Sequence, residues 1–369
     1  MKRILKLLAI GSLAVGMVAC GGKTTYEIAM ITDIGSIDDK SFNQGTWEGV
    51  KKYADEKKID AKYYKPTDGT TSSYVSAINL AVEGGAKIIV CPGYLFEEAV
   101  YISQTAHPDV KFVLIDGEPH TADYSDYKTE ENTLPILFAE EQSGFLAGYA
   151  IVKDGFEKLG FTGGLPVPAV KRFGFGYVAG AFYAAEELGV LEDVSVADTH
   201  FEYLMSFDPS DIVKSLASGW FNSGVEVIFS AAGGAGNSVM SAASEQTSKW
   251  VVGVDVNQIP QSEYVITSAM KQIGTAAYDA LTDFYNDAWD GGETLHYSVT
   301  NDGVGIPDDF SRFNTFSKDA YDAMFAKLVN GAVVAPDTYD ELETFCSALG
   351  VDISDANVFP TKEKADMSL

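Results

Sequence analysis

The chain has 369 residues, 46% of them hydrophobic and 21% charged, with a formal net charge of −27. That length suits two ordinary domains better than one small core, and no low-complexity or like-charge block argues for an extended disordered arm. An excess of 53 acidic over 26 basic residues repels nucleic acid, whereas it is compatible with a neutral or cationic small ligand or simply with solubility.

The first nineteen residues read as an export signal. Lys2, Arg3 and Lys6 give a basic start, and Leu7 to Val18 form an apolar run too short to span a bilayer comfortably. Met17-Val18-Ala19-Cys20 then resembles a lipoprotein signal box, with Met17 at the usual leucine position. Residues 1–19 are therefore expected to be removed, Cys20 to carry the lipid, palmitate included, and 20–25 to form a linker. No later run reaches about 18 apolar residues, so the expected location is the extracytoplasmic face of the cell membrane, anchored and not threaded. Cys91 ends the apolar run AKIIVC and reads as a buried thiol; a bond to Cys346 stays open, since sequence gives no geometry. His107, His120, His200 and His296 show no metal-ligand spacing, so no metal is expected.

Beyond the linker, short apolar runs alternate with helical patterns. YEIAMIT (26–32) is predicted as a strand and 41–58 as a helix; AKYY, 71–83, AKIIVC, 96–106 and KFVLID (111–116) continue the alternation. Continuous Ile- and Val-rich strands of this kind suit a parallel sheet covered by helices on both faces. From about 133 the rhythm restarts with a long helix to 153, then KLGFTGG (158–164), a helix over 168–188, VSVADTHFEY as a strand and a helix over 209–221. VEVIFS (225–230), a helix over 237–248, KWVVGVD (249–255) and YVITSAMK (264–271) follow. A helix from about 273 to 290, GVGI (303–306) and a last helix near 317–330 complete the chain. Two successive βα series predict an α/β fold of two doubly wound lobes. The first lobe takes 26–134 plus about 270–300, the second 135–269 plus about 301–369.

Open parallel sheets bind ligands beyond the carboxyl ends of their strands. Polar groups stand at those ends here: Asp33, Cys91-Pro92-Gly93-Tyr94, Asp116-Gly117, the loop Ala231 to Asn237, and Asp255. Singly each is a turn or cap residue; converging from two lobes, they outline a cleft. Ser41-Phe42-Asn43-Gln44 fits a capping box with Ser41 as N-cap and Gln44 reaching back. Trp47, Val50 and Ala54 form the apolar stripe of the helix that follows. Phe42 lies roughly 110° from the centre of that stripe: its ring either covers the helix start as an apolar lid over the sheet or, at a helix N-terminus beyond a strand end, stands at the mouth of the ligand crevice.

ITDIGSIDDKSFNQGTWEG closely resembles the opening motif of the basic membrane protein family of bacterial lipoproteins, which includes purine nucleoside receptors. GFTGGLPVPAVKRFGFGYVAGA (160–181), IFSAAGGAGNSV (228–239), VVGVDVNQ (251–258), VITSAMK (265–271) and NGAVVAPDTYDELETF (330–345) resemble further family blocks, in order. The resemblance implies a type I periplasmic-binding-protein fold holding a purine nucleoside between two aromatics, and delivery to an ABC importer. Phe42 matches the first aromatic and Phe207, in MSFDPSDIV, the second. Asp33, Asn43 and Asp116 become candidates for the edge of the base. Asp255 and Lys271 are candidates for the sugar, with Gly233 and Gly234 allowing close backbone approach. The residues after Lys271, Gln272-Ile273-Gly274, depart from the family's more usual basic and acidic ones.

Other readings have less in their favour. Gly174 to Ala179 matches GxGxxA of dinucleotide-dependent oxidoreductases, but helical spacing from Phe173 to Leu188 runs through it and no strand leads in. There is no GxSxG elbow, and the aspartates lack a second component of a mechanism, so no enzyme, catalytic residue or cofactor is expected. A flavin or a sugar in the same cleft stays open, as does an adhesion or interaction role. The expected partners are the ligand, the permease subunits and the membrane through the anchor, with no nucleic acid, and the expected state is monomeric.

Overall fold

The computed structural model describes residues 25–368; the signal segment and Cys20 lie outside them. The first series runs β1 (Ile28–Ile31), α1 (Phe42–Lys57), β2 (Ala61–Tyr64), α2 (Thr71–Glu83), β3 (Ile88–Pro92), α3 (Glu97–Ala106), β4 (Lys111–Ile115) and β5 (Thr133–Phe138). The second runs α4 (Glu140–Lys153), β6 (Leu159–Gly163), α5 (Pro168–Leu188), β7 (Phe201–Tyr203), α6 (Asp211–Asn222) and β8 (Val227–Ala231), then α7 (Gly236–Ser244), β9 (Trp250–Asp255) and β10 (Val265–Lys271). The chain returns through α8 (Ile273–Tyr285) and β11 (Leu295–Tyr297), recrosses to β12 (Val304–Gly305), and ends in α9 (Lys318–Val329), α10 (Tyr339–Ala348) and α11 (Lys362–Ala365).

Two six-stranded sheets result, ordered β2-β1-β3-β4-β5-β11 and β7-β6-β8-β9-β10-β12. The described pairings are parallel except β10 with β12. The strand order reverses between β1 and β3 in one sheet and between β6 and β8 in the other, the crevice at which such sheets bind ligands. The central strands β1, β3, β6 and β8 are wholly buried, and the polar Thr162 of β6 and Ser230 of β8 satisfy each other at 3.0 Å.

Five elements differ from the sequence reading, among them α11, which lies beyond the last expected helix. Residues 133–138 form β5 and not a helix start, which carries the first sheet to Phe138, past the expected boundary at 134. Pro135 obscures that strand, yet it sits one residue before pairing with β11 begins at Ile136, so its missing N–H leaves no gap in that ladder. Of VSVADTHFEY only Phe201–Tyr203 is strand, and β11 and α10 were not anticipated.

The glycines of GFGYVAGA serve helix packing. A Cβ on Gly176 would lie 1.9 Å from the Glu141 carbonyl oxygen, and one on Gly180 2.0 Å from that of Phe145. From the other side, a Cβ on Gly148 would lie 2.0 Å from the Tyr177 carbonyl oxygen. α4 and α5 thus touch backbone to backbone, and Gly174 and Gly176 lie within a helix, where no dinucleotide turn exists. Gly176→Ala is expected to cost about 1–3 kcal/mol of unfolding free energy in a urea titration; an unchanged midpoint would contradict the packing.

Candidate functional site

Both sheets point their carboxyl ends into one cavity of about 320 Å³, within the roughly 300–1,000 Å³ range of small-molecule sites. Asp33, Phe42, Asn43, Asp116, Phe207, Gly233, Gly234, Asp255 and Lys271 all line it. The structure thus brings these nine candidate ligand residues to one wall or another of a single cleft, whereas Cys91, Pro92, Gly117 and Ala232 of the strand-end loops do not line it.

The two rings approach from opposite sheets. Phe42 opens α1 just past β1, and its edge lies 3.5 Å from where a Cβ on Gly93 would stand. Phe207 lies over Gly164 and Gly233; a Cβ on Gly164 would fall 2.0 Å from its ring, so only glycine admits the ring there. Each phenylalanine therefore sits at the reversal point of its own sheet, and among the described residues the rings are not stacked on each other.

The start of α1 differs from the expected capping box. Ser41 makes no side-chain cap; Asp39 does, accepting from the backbone N–H of Ser41, Asn43 and Gln44 at 2.8, 2.9 and 3.1 Å. Gln44 does reach back, accepting from the N–H of Lys40 at 3.1 Å. Ser41 is thereby free to donate across the cleft to Asp255 Oδ2 at 2.6 Å. Lys40, held at φ 59°, offers its carbonyl to the amide groups of Gln258 and Gln261 at 2.9 and 2.8 Å. These bonds join the two lobes in a closed arrangement.

Asn43 is an organiser in this arrangement. Its amide donates to Asp33 Oδ1 at 2.7 Å and Asp39 Oδ2 at 3.0 Å, and its carbonyl accepts from the Asp33 N–H at 3.1 Å. Both amide hydrogens are taken, and the bonds from Gly35 and Asn43 both go to Asp33 Oδ1. Burial pushes the Asp33 carboxyl up to about 6, against the bonds from Asn43 and Gly35.

Lys271 lies at the centre. Its Nζ bonds Asp116 Oδ2, with Glu140 Oε1 at 3.3 Å and Asp255 Oδ1 at 3.6 Å, and it stands 4.8 Å from the Phe42 ring centre. The side chains of Lys271, Glu140, Asp116 and Asp255 keep 2, 0, 7 and 9% of their surface, so these charges interact with little screening. Burial alone would strip the ammonium of its proton, but Asp116, Glu140 and Asp255 outweigh it and hold the proton tighter than usual. Burial, helped by Glu140 and Asp255 and opposed by Lys271, pushes Asp116 up to about 7. Burial likewise raises Asp255, whereas the cations Arg172 and Lys271 overcome burial at Glu140 and keep it low. Asp116 and Asp255 both adopt left-handed backbone, φ 61° and 65°, the uncommon conformation that aspartate tolerates better than most residues. Oδ1 of Asp116 is buried with no partner among the described residues, an acceptor awaiting a donor.

Glu140 and Arg172, bonded Oε2 to Nε at 2.7 Å, escaped the sequence reading. Arg172 stands inside the block 160–181 without a role assigned to it, and Glu140 carries no motif; the available signal is that a buried Lys271 needs counter-charges from somewhere. Cys91 and Cys346 are free and buried. Among the described residues no helix is long and apolar enough to cross a membrane.

Two α/β sheets opposed across a closed cleft, with facing rings and a buried ionic centre, define a two-lobed solute-binding protein. A crystal structure of an ABC transporter solute-binding protein from Aeropyrum pernix superposes with a TM-score of 0.70 at 22% identity, covering 88% of this chain and 97% of that one. One from Conexibacter woesei gives 0.62 at 18%, covering 85% and 99%, and the shared fold is the type I periplasmic-binding-protein fold. The model of the Bmp family, "ABC transporter substrate-binding protein PnrA-like", matches residues 26–338, and the chain belongs to that family. Basic membrane protein B of Borreliella burgdorferi is 30% identical over 328 residues, 86% of this chain and 90% of its own. The ABC transporter nucleoside-binding protein BmpA of Lactococcus lactis is 28% identical over 334 residues, 85% and 90%.

The Asp33 shift predicts a pH signature. Its folded carboxyl keeps its proton up to about 6, an unfolded one only to about 3.9. The folded state binds more protons in between, so this group's contribution to stability falls as pH rises through that window. Asp33→Asn keeps an oxygen for Gly35 and Asn43 but removes the ionisation. Relative to wild type, its melting temperature should gain between pH ~4.5 and pH ~7; a constant offset would contradict the assignment.

Proposed function

We propose that this chain is a lipid-anchored substrate-binding protein that captures purine nucleosides (inosine, guanosine, adenosine) and hands them to the permease of an ABC importer. The observation that carries this reading is the pair Phe42 and Phe207 flanking one cavity from opposite sheets. A planar base has two faces for two rings, and stacking contributes about 1–3 kcal/mol per base in nucleic-acid systems. Asp33 and the unpartnered Asp116 Oδ1 accept from donors on the ligand, Lys271 donates to a hydroxyl or ring oxygen, and Asp255 accepts from ribose hydroxyls. Membership of the family and the name of the Lactococcus lactis relative support a nucleoside. Six aspartates line the cavity against one lysine, which disfavours a phosphorylated ligand. At about 320 Å³ the closed cavity suits a nucleoside better than a flavin with three fused rings. Capture proceeds by lobe closure, and anchoring proceeds through Cys20.

Calorimetry on ligand-stripped protein with inosine, guanosine, adenosine, cytidine and riboflavin tests the ligand class. At least one purine nucleoside should bind at a single site; none binding would overturn the reading. Phe42→Ala and Phe207→Ala should each weaken that ligand by roughly 10- to 100-fold, and wild-type affinity in both would remove the stacking claim alone.

A further inference from the structure

Glu140 takes no part in the ligand contacts proposed above, yet its side chain retains no accessible surface. It is the first residue of α4, where the chain has just left the first sheet. Its two oxygens face two cations: Oε1 accepts from Lys271 Nζ at 3.3 Å and Oε2 from Arg172 Nε at 2.7 Å. Arg172 is on α5 and does not line the cavity. α4 packs on α5, β10 and β12, so Glu140, Arg172 and Lys271 stand on elements of one packed unit. Asp116, by contrast, follows β4 of the other sheet. Opening the lobes would take Asp116 away from Lys271 and Ser41 away from Asp255, while leaving Lys271 with Glu140, Arg172 and, from the neighbouring strand of its own sheet, Asp255.

We propose that Glu140 and Arg172 are a positioning pair that keeps Lys271 charged and aimed into the cleft while the lobes stand apart, so that closure has only to bring Asp116 to it. The proposal rests on the reading of this cleft as the ligand site. Buried ion pairs add little net stability over apolar groups of the same size, so stability alone does not explain a carboxylate shared between two cations here. Without Glu140 the open state would leave the ammonium only Asp255 at 3.6 Å, longer than a hydrogen bond, so it would be freer to turn to water that closure must then strip away. Arg172 is suited to fixing Glu140, because its planar guanidinium never loses its proton and restricts the carboxylate's orientation.

The pair also acts on Asp116 at a distance. The charges facing Asp116 are Lys271 from β10, Glu140 from α4, Asp255 from the end of β9 and Arg172 from α5. Glu140 is negative and raises the proton affinity of Asp116, so neutralising it lowers the pH at which Asp116 ionises.

Inosine, guanosine and adenosine are titrated by calorimetry between pH ~5.5 and ~8.5 into ligand-stripped wild type, Glu140→Gln, Arg172→Gln and Arg172→Lys, with a melting curve for each. Glu140→Gln should bind tenfold or more weakly at pH ~7.5, with the inflection of its affinity profile moved to lower pH. Arg172→Gln should weaken binding as well, and Arg172→Lys, which keeps the charge without the planar guanidinium, should recover part of the affinity. If Glu140→Gln does not fold, the two Arg172 variants carry the test. Binding within twofold of wild type in the folded variants would overturn the pair. So would lost affinity that follows lost melting temperature with the inflection unmoved. Wild type binding none of the three nucleosides would overturn the underlying reading, and the proposal with it.

Discussion

The rest of the cleft depends on the burial of one ammonium ion, that of Lys271. An isolated lysine with 2% of its side chain exposed would lose its proton. It stays charged because carboxylates reach it from three directions: Asp116 from the first sheet, Asp255 from the second, and Glu140 from the helix that crosses between them. Each of those carboxylates is itself buried and draws on Lys271, Glu140 on Arg172 as well, so loss of Lys271 would leave Asp116 and Asp255 without a cation partner. The same ammonium stands near the Phe42 and Phe173 ring faces at 4.8 and 5.4 Å, which ties the aromatic wall to the ionic centre.

That arrangement demands precise placement, and the surrounding fold supplies it. α4 and α5 meet through glycines whose carbonyl contacts would admit no methyl group, so the helices bearing Glu140 and Arg172 have little freedom to slide. At the other end Asp39, not Ser41, caps α1, and this releases Ser41 to bond Asp255 across the cleft. Asp33 is fixed by Asn43, which is fixed in turn by Asp39. A short polar chain therefore runs from the helix start to the Asp33 carboxyl on the cavity wall.

Much of this was visible in the sequence, for identifiable reasons. Strand ends announce themselves by apolar runs closing on a polar residue, which is how Asp33, Asp116 and Asp255 were found. The angle of Phe42 to the stripe of Trp47 and Val50 pointed its ring away from the core. What escaped depends on contacts distant in the chain. By spacing Ser41 reads as the cap, but Asp39 takes those N–H groups and Ser41 turns instead to Asp255, 214 positions on. Glu140 looks like any acidic residue in the first turn of a helix, and its partners lie 32 and 131 positions away. Pro135 disguised β5 because where β11 begins is set by tertiary pairing.

The most direct test is a crystal structure of the ligand-stripped protein soaked or grown with inosine. The result expected is a purine ring lying between Phe42 and Phe207, with a ligand donor within about 3.2 Å of the Asp116 Oδ1 that has no partner among the described residues. A ligand seated elsewhere, or a nucleoside in the cleft that leaves Asp116 Oδ1 unpaired and the two rings apart from the base, would contradict it.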